Sequence, residues 1–356
     1  MKMHGCKTLF IVLAAVLCLF GAGGAISSKV FSPAEVSAGT ADPAGAAGAD
    51  RVVGADGVVG SDRVVGVDGA AESAGYDDSA GSDDSAVPAL SCRYYNERDF
   101  LKSVNQAVPT ENIAAGPVNT ARSPAKGGIV PHHLLAGRMI AAFFDDLAQD
   151  PPGTIILLGP NHRLVGSNEV HTSSADWLTA FGTLKADSKL TKVLTDRINA
   201  SENNRLMEDE HSISSLVPYI KYYMPDTKIV PVLLHGSYTQ EQSKELGALL
   251  AEIVTYRPDA VILASIDFSH YLNVIEADRM DEMTLAAISS RNFDELGRMN
   301  NDNLDSVPSV ITLLTAMDTI GAKDIDVTGH DNSSRITGSN QDYTTSYYTM
   351  FFRISD

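Results

Sequence analysis

Thr154-Ile155-Ile156-Leu157-Leu158-Gly159-Pro160-Asn161-His162-Arg163 decides how the chain folds. Its apolar run is too short for a helix core and is closed by Gly and Pro, so it reads as a buried strand. Asn161 and His162 are then presented at the strand's carboxyl end. The same layout recurs. Gly128-Ile129-Val130-Pro131 leads to His132 and His133, and Lys228-Ile229-Val230-Pro231-Val232-Leu233-Leu234 leads to His235. Ala260-Val261-Ile262-Leu263-Ala264-Ser265 leads to Ile266-Asp267-Phe268-Ser269-His270. If these strands are parallel, their imidazoles line one edge of the sheet, the edge where open α/β sheets bind ligands.

Working outward, the segments between the strands carry helical spacing. Leu134 to Leu147, Asp187 to Ile198, Gln240 to Val254, Asp278 to Ser289, Asn292 to Met299 and Pro308 to Ile320 all read as helices, and Pro308 suits a first helical turn. Tyr94 to Val104 reads as a short helix, Asn105 to Lys126 as loop, and the alternating, aromatic-rich Tyr343 to Ile354 as a strand. Strands alternating with helices predict a single α/β domain, residues 90–356, with a largely parallel central sheet flanked by helices.

The first 89 residues read differently. Lys2, His4 and Lys7 precede an apolar run from Thr8 to Ile26. This is the layout of an export signal, and at about 19 residues it is also long enough to remain as a membrane anchor. Gly23-Gly24-Ala25 offers small residues for cleavage, whereas Leu17 is too large for the position before a lipidated Cys18. Residues 1–26 are therefore expected to be a signal peptide or an anchor, which makes the protein extracytoplasmic, either secreted or membrane-anchored. Residues 27–89 are rich in Ala, Gly, Asp, Ser and Val, with a degenerate Asp-x-Val-Val-Gly repeat beginning at Asp50, Asp56 and Asp62. Such a composition cannot bury enough apolar surface to offset its ordering entropy, so a disordered acidic linker is expected. A calcium-binding glycine–aspartate array would need a longer and more regular repeat.

The 356 residues carry a formal net charge of -18, which argues against a nucleic-acid partner. Three cysteines are present, and Cys92 alone lies beyond the N-terminal segment, so neither an internal disulfide nor a cysteine zinc cluster is available. There is no Walker loop, no Gly-x-Gly-x-x-Gly, no His-Glu-x-x-His and no Gly-x-Ser-x-Gly elbow.

Three spots carry chemistry. His132 and His162, each behind a proline-bearing strand end, are the first candidates for metal ligands, since neutral imidazole is a common ligand at neutral pH. Met207-Glu208-Asp209-Glu210-His211-Ser212-Ile213 puts carboxylates beside an imidazole, as a ligand, base or shuttle would require, and also as a helix N-terminus would. Asp267 and His270 are spaced i, i+3, so the carboxylate is expected to fix the imidazole's tautomer in one pocket. His235 has less support, and His171 and His330 are expected on the surface or in loops.

Ile129-Val130-Pro131-His132, Leu158-Gly159-Pro160-Asn161-His162, Asp209-Glu210-His211-Ser212-Ile213, Ile229-Val230-Pro231-Val232-Leu233 and Ser265-Ile266-Asp267-Phe268-Ser269-His270 occur in an order that resembles the Memo family, called the AmmeMemoRadiSam system protein B in bacteria. Asn332-Ser333 and the C-terminal Tyr-rich strand resemble its tail, so the resemblance spans about Gly127 to Phe352. It implies a fold like that of class III extradiol dioxygenases, which are non-haem iron enzymes. It implies His132 and His162 as metal ligands, with Asn161, Asp209, Glu210, His211, Asp267 and His270 as other cleft residues. The family's third ligand is a cysteine in a Cys-Gly-x-x-Pro-like segment. Here the segment reads Asn303-Leu304-Asp305-Ser306-Val307-Pro308, and alignment on Pro308 puts Leu304 at the cysteine with Asp305 beside it. Asp305, or a carboxylate from the Glu208 to Glu210 run, must then replace the sulfur. That shifts preference toward iron, with manganese or zinc next and copper behind.

The resulting expectation is a divalent metal held by His132, His162 and Asp305, with redox or dioxygenase-like chemistry and His211, Asp267 and His270 as catalytic groups. A non-catalytic module binding a peptide or other anion in the same cleft is one alternative, and a metal-dependent hydrolase with Asp267 as base is another. The expected partner is a small molecule or peptide, and membrane contact would come only through the N-terminal segment.

Overall fold

A computed structural model describes residues 88–107, 123–339 and 343–355. The expected N-terminal signal or anchor, nearly all of the linker and most of the Asn105 to Lys126 loop lie outside the described residues. In chain order the elements are β1 (Leu90–Ser91), α1 (Glu97–Asn105), β2 (Ala125–Val130), α2 (Gly137–Leu147, entered through a 3-10 turn at Leu134–Ala136) and β3 (Thr154–Pro160). Then come β4 (Val170–Thr172), β5 (Trp177–Thr179), β6 (Gly182–Leu184), α3 (Ser188–Ile198), β7 (Ser201–Glu202), α4 (Asn204–Asp209), α5 (His211–Ser214) and α6 (Val217–Tyr223). The chain continues through β8 (Lys228–Leu234), α7 (Gln240–Tyr256), β9 (Ala260–Ser265), α8 (Val274–Ser290), α9 (Phe293–Leu296), α10 (Val307–Ile320), β10 (Asp324–Asn332), α11 (Ser333–Thr337) and β11 (Ser346–Arg353).

Eight strands form the central sheet in the order β10-β11-β2-β9-β3-β8-β4-β7. The four histidine-bearing strands are its contiguous centre, and β2–β9, β9–β3 and β3–β8 all pair in parallel. Antiparallel β11 and β10 extend one side, and β4 joins β8 antiparallel on the other. β10 was not expected from the sequence: Asp324-Ile325-Asp326-Val327-Thr328-Gly329-His330 is largely polar, and it is a strand because the aromatic β11 offers it a paired edge.

Both faces of the centre are buried, and the side-chain period of two sorts them. Ile156 and Leu158 of β3 join Val230, Val232 and Ile262 on one face, packed under Leu246 and Leu250 of α7 and Val310, Leu313 and Leu314 of α10. Ile155 and Leu157 join Ile229, Leu233 and Leu263 on the other, under Ile140, Phe143 and Phe144 of α2 and Val217 and Ile220 of α6. α7 and α10 pack closely at Gly247, where a Cβ would stand 2.6 Å from the Thr312 carbonyl oxygen. Helices on both faces leave only the strand ends open, and there the chain places its histidines. Among the described residues no helix is long and apolar enough to cross a membrane.

Candidate metal centre

His132 and His162 leave neighbouring regions of the sheet edge, and their ring centroids lie 5.1 Å apart. His211, at the start of α5, completes a cluster: its ring is 4.3 Å from that of His162 and 5.0 Å from that of His132. One nitrogen from each of the three imidazoles lies within 4.8 Å of the others.

Each ring is held by Nδ1. His132 Nδ1 is 3.0 Å from Ser265 Oγ. The Ser265 hydroxyl donates to the Ser212 carbonyl at 2.5 Å, so its oxygen is left to accept the His132 Nδ1 proton. The fully buried Glu210 holds the other two rings, through Oε1 at 2.8 Å from His162 Nδ1 and 3.1 Å from His211 Nδ1. Glu210 also caps α5 by accepting from the Ser212 amide, and it accepts the His162 amide at 2.9 Å. Anchoring Nδ1 leaves Nε2 as the nitrogen available to a metal, the arrangement found behind histidine metal ligands.

The Nε2 atoms of His132 and His162 converge on one carboxylate oxygen. Asp305 Oδ2 is 3.3 Å from His132 Nε2 and 3.5 Å from His162 Nε2. Asp267 Oδ2 is 3.6 Å from the same His132 nitrogen. Bonds of about 2 Å at tetrahedral or octahedral angles put neighbouring donors about 3 to 3.5 Å apart, so these residues fit a divalent cation. A nitrogen-and-oxygen donor set without sulfur is the kind iron, manganese and zinc accept.

Electrostatics matches this geometry. Burial alone would lower the His162 pKa, but its hydrogen bonds to Asp305 and Glu210 and their charges outweigh burial and push it up to about 10. Burial likewise opposes ionisation of Glu210 and Asp305, yet the surrounding imidazoles hold both carboxyls below their usual range. His132 has no exposure to compensate it, and desolvation lowers its pKa.

Several expected roles change. Asp267 does not fix the tautomer of His270: its Oδ1 accepts the His132 amide at 3.1 Å and its Oδ2 faces His132. The turn after β9 swings His270 away, with its amide bonded to the Asn301 carbonyl at 2.9 Å and its Nδ1 buried without a partner. Asn161 closes the loop behind His162, donating from Nδ2 to the Val165 carbonyl at 2.7 Å. Asp209 turns outward from the histidines to Arg93, with Arg163 and Arg205 each 4.0 Å away. Leu304, aligned with the family cysteine, is buried in the core and bridges Phe268, while Asp305 carries the donor oxygen.

His171 is not the surface or loop residue expected, whereas His330 is exposed as expected, though on a strand rather than in a loop. His171 is buried on β4, its ring backed by Gly166. His330 lies on β10, stacked 4.1 Å from the Tyr348 ring and bonded through Nε2 to Asp281 Oδ2 at 2.7 Å. With Asp278 these residues form a second group of metal-capable side chains. Its donors are already engaged: both Asp278 oxygens receive Arg335, and Asp281 Oδ1 accepts the Ser269 and Ser346 hydroxyls. His235, bonded through Nδ1 to Ser237 at 2.7 Å, belongs to neither group. The sequence reading did not single out Ser265, whose only signal was its place at the end of β9.

Two cavities flank the centre. The larger, of about 810 Å3, reaches Tyr94, whose ring is 5.7 Å from that of His211, but none of the donors lines it. The smaller, of about 400 Å3, has Asp305 in its wall.

Fold and site together define an α/β protein with three histidines and three carboxylates gathered at the carboxyl edge of a parallel sheet. Residues 90–351 match the family of Memo-like proteins, and the chain belongs to that family. It is 29% identical over 238 residues to a MEMO1 family protein of Pyrobaculum aerophilum, covering 64% of this chain and 83% of that one. It is 28% identical over 236 residues to a MEMO1 family protein of Aquifex aeolicus, covering 64% and 85%. A crystal structure of an uncharacterized Escherichia coli K12 protein aligns with a TM-score of 0.44 and 12% identity over 64% of this chain and 98% of that chain, a likeness on which nothing here depends.

Proposed function

We propose that this Memo-family protein holds a divalent metal, iron first, through His132, His162 and Asp305, and that it performs metal-dependent redox chemistry of a dioxygenase-like kind on a small molecule. The observation that supports this reading is the convergence of two Nε2 atoms on Asp305 Oδ2 at 3.3 and 3.5 Å, with both Nδ1 atoms anchored behind them. When bound, such an ion supplies a Lewis acid or an electron-transfer partner. The residues around it have separable tasks. Glu210 and Ser265 orient the rings, and Asp267 braces His132 through its amide. His211, with its side chain 40% exposed and its Nδ1 held by Glu210, is suited to move a proton at Nε2.

Metal analysis of purified protein, beside His132→Ala and His162→Ala, tests the proposal. A bound transition metal in the wild type that falls at least tenfold in both variants supports it. Equal, negligible content in all three rejects it.

The alternative is a non-catalytic module that binds a peptide or other anion. It draws support from His162, whose charge in the metal-free cluster is favoured by two carboxylates. Ligand binding unaffected by chelator would favour it. The hydrolase reading is weaker, because Asp267 is already engaged by the His132 and His133 amides and so is poorly placed to act as base. Export, the other part of the proposal, rests on the basic-then-apolar N-terminus. Cell fractionation with N-terminal sequencing distinguishes a secreted from an anchored product, and recovery in the cytoplasm with the N-terminus intact rejects both.

A further inference from the structure

We infer that the 400 Å3 cavity beside Asp305 is a binding site for a small primary amine on a short apolar chain, the ammonium being received at Asp305. The cavity lies between the start of α7 and the turn before α10. Its volume falls in the range of small-molecule pockets, about 300–1,000 Å3. Three observations select the ligand. Met299, Val307, Pro308 and Ile311 give it an apolar wall, which suits a hydrocarbon chain. No lysine, arginine or histidine lines it, and Asp305 is its one carboxylate, so a cation is favoured there over a carboxylate or phosphate. The Asp305 side chain is 5% exposed, and its Oδ1 is buried with no hydrogen-bond partner, while Oδ2 is occupied by the Asp267 amide and the two histidines. A buried acceptor left without a donor is costly, and a ligand N–H at Oδ1 removes that cost.

The inference deepens the proposed function by naming a substrate class for that centre. Its link to the metal is Asp305, shared between the two sites. It is opposite in charge to the anionic-ligand alternative, so one set of measurements separates them.

Full-length protein is titrated by calorimetry with n-butylamine, n-butanol and butyrate, first metal-free and then loaded anaerobically with iron(II). Metal content is measured in parallel. Saturable butylamine binding at least tenfold tighter than butyrate is expected. Val307→Phe narrows the cavity from its apolar wall and is expected to weaken butylamine at least tenfold while metal content holds. Asn301→Trp does the same from an exposed wall position, should Val307→Phe fail to fold. Butyrate binding as tightly as butylamine, or butylamine binding unchanged in a folded cavity-filling variant, overturns the inference. Iron binding without amine binding also overturns it, leaving the metal reading intact. Amine binding in a protein that takes up no metal upholds the cavity and rejects the metal centre.

Discussion

Asp305 Oδ2 lies 3.5 Å from His162 Nε2, whose ring is held from behind by Glu210 at 2.8 Å. An imidazole flanked by two carboxylates keeps a proton on each nitrogen, and a metal must displace the one on Nε2. Proton and cation compete for a single atom.

Metal binding near pH 7 is therefore expected to release about one proton from His162, because the metal-free imidazole titrates at about 10. Calorimetry in buffers of different ionisation enthalpy measures it. A release near zero would show that His162 is neutral before the metal arrives.

The same pair governs stability in the metal-free protein. The His162 pKa is raised from 6.5 to about 10 on folding, so its contribution is fully present below pH 6.5 and is lost as pH rises through 10. Thermal melts should show that loss in wild type and not in His162→Gln, where the pH dependence over this window should flatten.

Glu210→Gln keeps the shape but loses the charge that holds two rings. Metal affinity is expected to fall about 10- to 100-fold, the usual effect of removing a partner behind a ligand. Because the folded Glu210 pKa is depressed below 4.5, its contribution to the metal-free protein is present above pH 4.5 and lost as pH falls below it. The variant should accordingly be less sensitive to mild acid than wild type. Dialysis against a competing chelator, with acid melts in parallel, reads both.

Asp305→Cys replaces the hard oxygen with a soft sulfur at the converging position. Preference should shift toward copper(I) and zinc relative to iron(II) and manganese(II). Competition dialysis against paired metals measures the shift, and an unchanged ratio would exclude Asp305 as a ligand.

Away from the cleft, Gly166→Ala tests the packing of β4. Gly166 has φ +110, a conformation L side chains rarely adopt, and an added Cβ would stand 2.0 Å from His171 Nε2. Strain and overpacking should together cost more than about 1 kcal/mol, read as a lower denaturant midpoint.

Local pattern was enough for the sheet's centre. Apolar runs such as Ile155 to Leu158, ended by proline and glycine, declare buried strands because periodicity and chain stiffness act over a few residues. The helices were legible for the same reason, with boundary shifts such as α8 beginning at Val274 rather than Asp278. β10 was illegible because its strand state depends on pairing with β11, from Asn332 with Ser346 to Asp324 with Arg353, and a local reading of the chain does not see such partners.

What the sequence by itself determined about this protein was the alternation of strand and helix and the placing of histidines where strands stop. Which of those histidines meet was decided only by the tertiary structure. His132 and His162 come together because β2 and β3 both pair in parallel with the intervening β9, whose last residue, Ser265, holds the His132 ring. Asp267 faces His132 rather than its neighbour His270 because it accepts the His132 amide, while the His270 amide is bonded to the Asn301 carbonyl. The hydrogen bonds and charges that set these pairings join residues as distant as His132 and Asp305, and such contacts exist only once the sheet has formed.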